Sequence, residues 1–326
     1  MKTTRMLAVS IVFALFLSAS AYGAVKPVKP VAKPAAKPAG PAVKPVAPKP
    51  SVFFRVCDDF RWGFIDKTGK IAFSGYEDAE DICDGLAAVK LNGKYGFVDI
   101  TGKMIVAPSF DGAGRFSEGL APVKMDRVWG YADKTGNIVI QPKYAKAAGF
   151  SEGLAVVQID GKYGAIDKTG EFVIQPNYVE MTGVSDGLMG VFKDGKWGFV
   201  DKTEAVVIAP QFTGADRFAG GLASAKSGNK WGFIDKAGQW VVQPKYDAAR
   251  SFSEGLAAVG ASTREMLRDD DGRVLSIVNF ISWGYIDATG KEVIPIELRN
   301  ADSFSEGLAP VWKGGDFGFI DKTGAM

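Results

Sequence analysis

The sequence has no histidine among its 326 residues and only two cysteines. Without imidazole there is no Ser-His-Asp or Cys-His nucleophile system, no histidine general base and no histidine metal ligand. Two cysteines cannot supply a structural zinc site. Any enzyme built on this chain depends on carboxylates, lysine, tyrosine and hydroxyls. Charge of either sign is not in excess overall, with 39 Lys plus Arg against 37 Asp plus Glu. That balance conceals two unlike pieces. Residues 1–50 carry eight basic and no acidic side chains, which leaves 51–326 with 31 basic and 37 acidic, a net of −6. A mildly acidic body argues against nucleic-acid binding. No apolar run reaches the roughly 20 residues needed to span a bilayer comfortably. The hydrophobic content, 47%, is nonetheless enough for a sizeable core.

What is present begins with a leader. Lys2 and Arg5 precede the apolar run Leu7–Leu17, and the small residues Ser18 to Ala24 follow. This order is that of a secretory signal spanning 1–24, with cleavage expected after Ala21 or Gly23. The mature protein is then expected to be exported, whether periplasmic, cell-surface or secreted, and not to be an integral membrane protein. Residues 25–50 hold eight of the sixteen prolines and six lysines, with no acid and no aromatic. Such a segment favours an extended polyproline II linker. It is either a basic spacer that touches anionic cell-wall polymer or a tether with no target.

Residues 51–326 form one internal repeat. An aromatic-Gly pair recurs at Trp62, Tyr95, Trp129, Tyr163, Trp197, Trp231, Trp283 and Phe317, at spacings of 33, 34, 34, 34, 34, 52 and 34. The unit reads W-G-F-I-D-K-T-G, an apolar strand, Gln-Pro-x-Tyr, a polar stretch and Phe-Ser-Glu-Gly-Leu-Ala. Asp-Lys-Thr-Gly between apolar runs is a hairpin signal, in which Asp caps its own turn and Gly supplies a positive φ. Asn92-Gly93 and Asp160-Gly161 mark a second hairpin. Each unit is therefore a three-stranded antiparallel β-meander. Its strands are apolar on both faces, so units must pack face to face. Glycine after each aromatic is expected to admit a neighbouring unit at close range. The fold class is all-β: about eight units of about 34 residues, stacked as an open superhelix or closed as a propeller-like ring. The short unit and the incomplete last copy favour the open form, since four-stranded blades usually take 40–45 residues.

These motifs resemble the WG-repeat (KWG) family of bacterial proteins, most closely at Lys196-Trp197-Gly198-Phe199-Val200-Asp201-Lys202-Thr203 and Lys230-Trp231-Gly232-Phe233-Ile234-Asp235-Lys236. The resemblance implies a β-rich repeat array in an exported or surface protein, with no catalytic residues. Departures are Tyr or Phe for Trp in three copies, Ala165 for the aromatic after Gly164, and Glu204 for a turn glycine.

Candidate chemistry is weighed against that scaffold. The motif acids Asp66, Asp99, Asp133, Asp167, Asp201, Asp235, Asp287 and Asp321 offer paired carboxylates for glycoside hydrolysis, with Glu118 or Glu152 as partners. Their recurrence in every unit favours turn capping instead. No phosphate-binding glycine loop is present, and neither cofactor nor metal is expected. The eight motif aromatics are read as repeat core, against the alternative of a sugar-stacking ladder. Trp240 and Trp312 stand outside the repeated position and are better placed for an exposed contact.

Two further features are singular. Cys57 and Cys83 both lie in the first unit; they are either a disulfide, which would stabilise it by roughly 3.5 kcal/mol, or a pair of buried free thiols. The 52-residue spacing carries an insertion near 261–278, read as a lengthened hairpin around Asp271-Gly272. Met266, Leu267, Leu275 and Ile277 are its candidate partner-binding residues, since apolar side chains on an arm need a cover. The aspartates at 269–271 lack the spacing of a known calcium loop. The expected function is an exported, non-enzymatic scaffold for an unknown protein partner at the envelope. The alternatives are a carbohydrate or cell-wall binding module and, behind it, an enzyme.

Overall fold

The computed structural model describes residues 53–58, 60–66, 68, 70–268, 273–305 and 307–326. The leader, the linker and the Asp269–Gly272 turn with its aspartates lie outside the described residues. Among the described residues every regular element is a strand.

The third repeat shows how the sequence makes a sheet. Gly112–Ala113, Leu120–Met125, Val128–Asp133 and Ile138–Tyr144 pair in that order, each antiparallel to the next. Eight such sheets succeed one another in a ring, an eight-bladed β-propeller. Blades 2 to 7 have four strands; blade 1 (Phe53–Tyr76) and blade 8 (Asn300–Asp321) have three. The ring corrects the preference for an open stack. That preference assumed that the unit was too short for a fourth strand, but the fourth strand needs only two residues of the polar stretch.

Adjacent blades share their cores. Ala87, Val89 and Val98 of blade 2 pack with Phe64 and Tyr76 of blade 1. Leu86, Ala88, Phe97, Val106 and Phe110 of the same blade pack with Ala121, Val123 and Ala132 of blade 3. Both faces of a blade are thus dry, which is why its strands are apolar throughout. At five joints the residue two places after the motif aromatic forms the centre of the joint, against a phenylalanine just before the Ser-Glu-Gly-type turn of the next blade. Phe97–Phe116, Tyr131–Phe150, Phe199–Phe218, Phe233–Phe252 and Tyr285–Phe304 stand with centroids 4.7, 4.9, 4.8, 4.9 and 4.8 Å apart. The buried hydroxyls of Tyr131 and Tyr285 donate to Ala148 O and Asp302 O, both at 2.7 Å. At the joint of blades 4 and 5 both rings are missing, replaced by Ala165 and Val184. Met189, where most blades have alanine, fills the space and is fully buried with them.

The motif glycines answer to their own blade, not to a neighbouring one. Trp129 opposes Tyr144 and Tyr131 opposes Ile140, so the strand Ile138–Tyr144 carries extra residues and bulges at Pro142. The bulge presses backbone onto the glycine: a Cβ on Gly130 would lie 2.4 Å from Ile140 O and 2.6 Å from Pro142 N. The same collision recurs at Gly96, Gly164, Gly198, Gly232 and Gly284. In blade 8 the side chain of Met326 lies against Gly318, where the other blades place the backbone of their last strand.

A polar clasp closes one edge of successive joints. The acid of each Ser-Glu-Gly turn accepts from the glycine N–H of the next such turn: Asp84 from Gly119 (2.9 Å), Glu118 from Gly153 (3.1 Å), Glu152 from Gly187 (3.2 Å), Asp186 from Gly221 (2.7 Å) and Glu254 from Gly307 (2.9 Å). The lysine of the next blade's Asp-Lys-Thr-Gly turn then donates to the carbonyl of that acid: Lys134 to Asp84 O, Lys168 to Glu118 O, Lys202 to Glu152 O, Lys236 to Asp186 O and Lys322 to Glu254 O. Lys168, Lys202 and Lys322 also form ion pairs with the acid of their joint.

Candidate binding site on the seventh blade

Seven motif aspartates are occupied within their own turns. Asp167 Oδ1 accepts from Thr169 N, Thr169 Oγ1 and Glu171 N at 2.8, 2.6 and 3.1 Å, and Asp66, Asp99, Asp133, Asp201, Asp287 and Asp321 repeat the pattern. The threonine hydroxyl, helped by the backbone amides, holds these carboxyls below the usual aspartate value. Asp235 keeps the two backbone bonds without a hydroxyl, since residue 237 is alanine. The turn departure Glu204 adopts a φ of 67° where its counterparts are glycine. Its carboxylate accepts from the Tyr178 hydroxyl of the preceding blade at 3.1 Å, and burial with this bond pushes Tyr178 up to about 12.

The motif aromatics sit at the rim of the joints. Trp62, Tyr95, Trp129, Trp197, Trp231 and Trp283 are half-buried and packed against the core clusters; Tyr163 is also half-buried. Most carry a cation over the ring, as Lys124 does over Trp129 at 5.8 Å and Arg250 over Trp283 at 5.3 Å. Phe317 is 54% exposed, because blade 8 lacks the last strand that opposes the motif aromatic in other blades. Trp240 packs edge-on to Phe212 at 5.5 Å and is half-buried, so it is not an exposed contact. Cys57 and Cys83 are both free thiols in this structure, so the expected disulfide is not shown. They belong to consecutive blades: Cys57 stands opposite Trp62, while Cys83 is fixed by paired backbone bonds to Leu86. Burial pushes the Cys83 thiol up.

The insertion is an arm. The strands Leu256–Arg268 and Val274–Asp287 of blade 7 pair along their whole length, with Met266 directly opposite Ile277. Met266 is 50% exposed and Ile277 43%, and Val274 and Val278 beside them are exposed as well. Leu267 and Leu275 lie in the same strands, but their side chains are outside the described set. Exposed apolar residues elsewhere are single, as at Val139, Val173 and Val241, or paired, as at Val206 and Val207 and at Trp312 and Phe317; on the arm four adjoin one another.

Neighbouring blades brace the root of the arm on both sides. Asp247 accepts from Ser262 N at 2.8 Å and from Lys230 Nζ of blade 6 at 2.6 Å, and these bonds, the lysine's foremost, lower its carboxyl to about 2. On the other side Arg299 Nη2 donates to Glu265 Oε2 at 2.7 Å, and its guanidinium lies 3.8 Å from the Phe280 ring centroid. A pocket of about 520 Å³ opens beside this brace, lined by Glu297, Arg299, Asn300, Trp312, Gly314 and Gly315. Trp312 is 39% exposed there. The structure thus places Trp312 next to the arm. Arg299 and Phe280 were missed from sequence, although Arg299 departs from the Glu, Asp, Ala, Val or Thr that follows the closing aromatic of other units. Among the described residues no cluster of His, Cys, Asp or Glu could hold a metal ion.

The sequence profile described as the WG-containing repeat matches seven times, at 62–95, 95–127, 129–163, 163–197, 197–231, 231–260 and 283–315. No curated protein matches the chain in sequence. Among solved structures, one described as a eukaryotic initiation factor has a TM-score of 0.50 at 12% identity, covering 85% of this chain and 95% of its own. The WD40 domain of SCAP from fission yeast gives 0.40 at 8% identity, covering 86% and 97%. At these identities the likeness concerns the fold alone.

Proposed function

This chain belongs to the family of WG-containing repeat proteins, and from that premise we propose that it is an exported, non-enzymatic scaffold that captures a protein partner through the arm of blade 7. The propeller fold suits a protein-interaction scaffold. The observation that carries the finer reading is the arm itself: adjoining exposed apolar residues on a hairpin braced at its root by blades 6 and 8. A braced hairpin loses little freedom on binding, so its apolar contacts go largely into affinity. The repeated acids support a non-enzymatic role, since they are occupied as turn caps and clasps. The basic, apolar and small-residue order of 1–24 supports export, with the Lys/Pro segment as a spacer between the leader and the ring.

Trp312 supports a second reading. A half-open indole beside Asn300 and Arg299 in the adjacent pocket offers a stacking face and polar groups to a sugar ring. One experiment separates the two. Residues 261–278 are replaced by a short Asn-Gly turn, and the shortened protein is compared with the parent for folding, capture of envelope proteins and polysaccharide binding. Loss of a protein captured by the parent, with folding intact, supports the scaffold. If the shortened protein folds and keeps every protein partner, the arm is not the binding site. Polysaccharide binding abolished by Trp312→Ala favours the carbohydrate reading. N-terminal sequencing of the exported protein tests the leader, and an intact Met1 refutes it.

A further inference from the structure

The clasp closes five of the six joints from blade 2 to blade 8, and the joint between blades 6 and 7 lacks two of its three parts. The position of the acid is Gly220 and that of the lysine is Ala288. The two residues are far apart in sequence yet line the same cleft. Three consequences converge there. Gly255 N–H, the counterpart of the amides that bind a carboxylate elsewhere, has no acceptor among the described residues. Gly255 is exposed, whereas Gly119, Gly153, Gly187, Gly221 and Gly307 in the closed joints are all half-buried. A cleft of about 90 Å³ opens between the blades, with buried Leu222 and Phe252 in its wall. Glu254 also lines it, but its carboxylate is committed to Gly307 N–H and Lys322 in the following joint.

The cleft therefore offers one free N–H donor, on Gly255, and one free carbonyl, on Gly220, above an apolar wall. In the closed joints this pair is met by a carboxylate and an ammonium. The backbone is preserved as well: Gly220 has a φ of 61°, and Asp84, Glu118, Glu152, Asp186 and Glu254 have 53°, 53°, 50°, 55° and 51°. Non-glycine residues adopt that conformation at a cost, which the bonds of the clasp offset. Gly220 adopts it without needing a clasp.

We propose that this cleft receives a partner polypeptide that presents an acidic side chain with a lysine or arginine close by, completing the sixth clasp in trans. The carboxylate accepts from Gly255 N–H, and the cation donates to Gly220 O. A charged partner on a backbone group gives the stronger kind of hydrogen bond. An open cleft of this size buries too little of a free small molecule to hold it alone, so its affinity comes from a wider contact. One wall belongs to blade 7, which also carries the arm. The inference rests on the reading of the protein as a binding scaffold, but not on the arm being the contact.

The test follows backbone amide resonances of the mature chain by NMR while the blocked peptide acetyl-Glu-Ala-Ala-Lys-amide is added. The Gly255 resonance is expected to shift saturably, and those of Gly119, Gly153, Gly187, Gly221 and Gly307 to stay in place. The same peptide with glutamine at both charged positions should bind about tenfold more weakly, the scale of one charge-assisted bond. Gly220→Glu combined with Ala288→Lys should remove the response by closing the joint in cis. If that protein does not fold, Ala288→Lys alone should weaken the response by placing an ammonium on Gly220 O. No saturable shift at Gly255, equal shifts at the closed joints, or equal binding of the glutamine peptide overturns the proposal. Binding of free glycine as tight as that of the blocked peptide makes this a small-molecule site and also overturns it. The arm-shortened protein should respond like the parent, so a failure of the arm reading and a failure here remain distinguishable.

Discussion

Met189→Ala tests the account of how joints are packed. The side chain is fully buried between blades 4 and 5, with Ala165, Ile174, Val184 and Val191 around it. In five other joints two rings less than 5 Å apart occupy the corresponding space. Here the residues at the ring positions are alanine and valine, whose side chains cannot move inward to fill a gap. Truncation therefore leaves a cavity that does not collapse, and the cost should fall within the range of about 2–5 kcal/mol for a buried methionine cut to alanine. The informative variant is the triple change Met189→Ala with Ala165→Phe and Val184→Phe, which rebuilds the ring pair of the other joints. The three changes occupy one cavity, so they should be strongly non-additive: each phenylalanine alone overpacks against Met189, while the triple recovers most of the loss. Urea unfolding followed by tryptophan fluorescence reads the midpoints. A Met189→Ala cost below about 1 kcal/mol, or a triple variant no more stable than Met189→Ala, would refute the claim that methionine stands in for the rings.

Two further outcomes follow from local geometry. Gly198→Ala places a Cβ 2.6 Å from Ile208 O and 2.7 Å from Pro210 N, both immobile backbone, so the variant should lose about 3 kcal/mol in the same urea assay, the upper end for overpacking; a neutral change would show that the bulge can shift. The turn aspartates have folded-state pKa values below their ordinary 3.8, and Asp247 is lowered to about 2. Their contribution is present above the unfolded value and is lost as pH falls through the folded one, so the urea midpoint should drop from about pH 4 downward, and Thr169→Val should reduce that drop by removing the hydroxyl bond to Asp167.

What was legible in the sequence was local or periodic. Asp133 caps a turn with Thr135 two residues away, and that chemistry can be read from four letters. The apolar faces on both sides of Trp129–Asp133 required face-to-face packing, and the joints have it. What escaped was non-local or too short to carry a period. A two-residue strand such as Gly112–Ala113 has no alternation to detect, so the fourth strand was missed and the preference went to the open stack over the ring. The partner of Gly130 was misassigned because the bulge at Pro142 appears only when strands are placed in register. The clasp was invisible for the same kind of reason. Glu118 looks like a turn residue until Gly153 and Lys168 are brought beside it from 35 and 50 positions away.

Repetition also changes how a departure is read. Where every unit meets the same packing demand, a lost side chain is either replaced nearby or leaves its partners unsatisfied. Ala165 and Val184 are of the first kind, because Met189 restores the volume in the same cavity. Glu204 belongs with them, since the Tyr178 hydroxyl binds the side chain that occupies a glycine position. The joint at Gly220 and Ala288 is of the second kind. Among the described residues nothing replaces the carboxylate or the ammonium, and the Gly255 amide and an open cleft remain. The arm is a departure of another sort, an insertion whose root is braced while Met266 and Ile277 stay exposed. These two departures both involve blade 7. A departure that serves only packing should be compensated within its own joint, as blades 4 and 5 show. Those that stay open are the ones a partner can complete, and this reasoning selects blade 7 from eight similar blades as the place to look for binding.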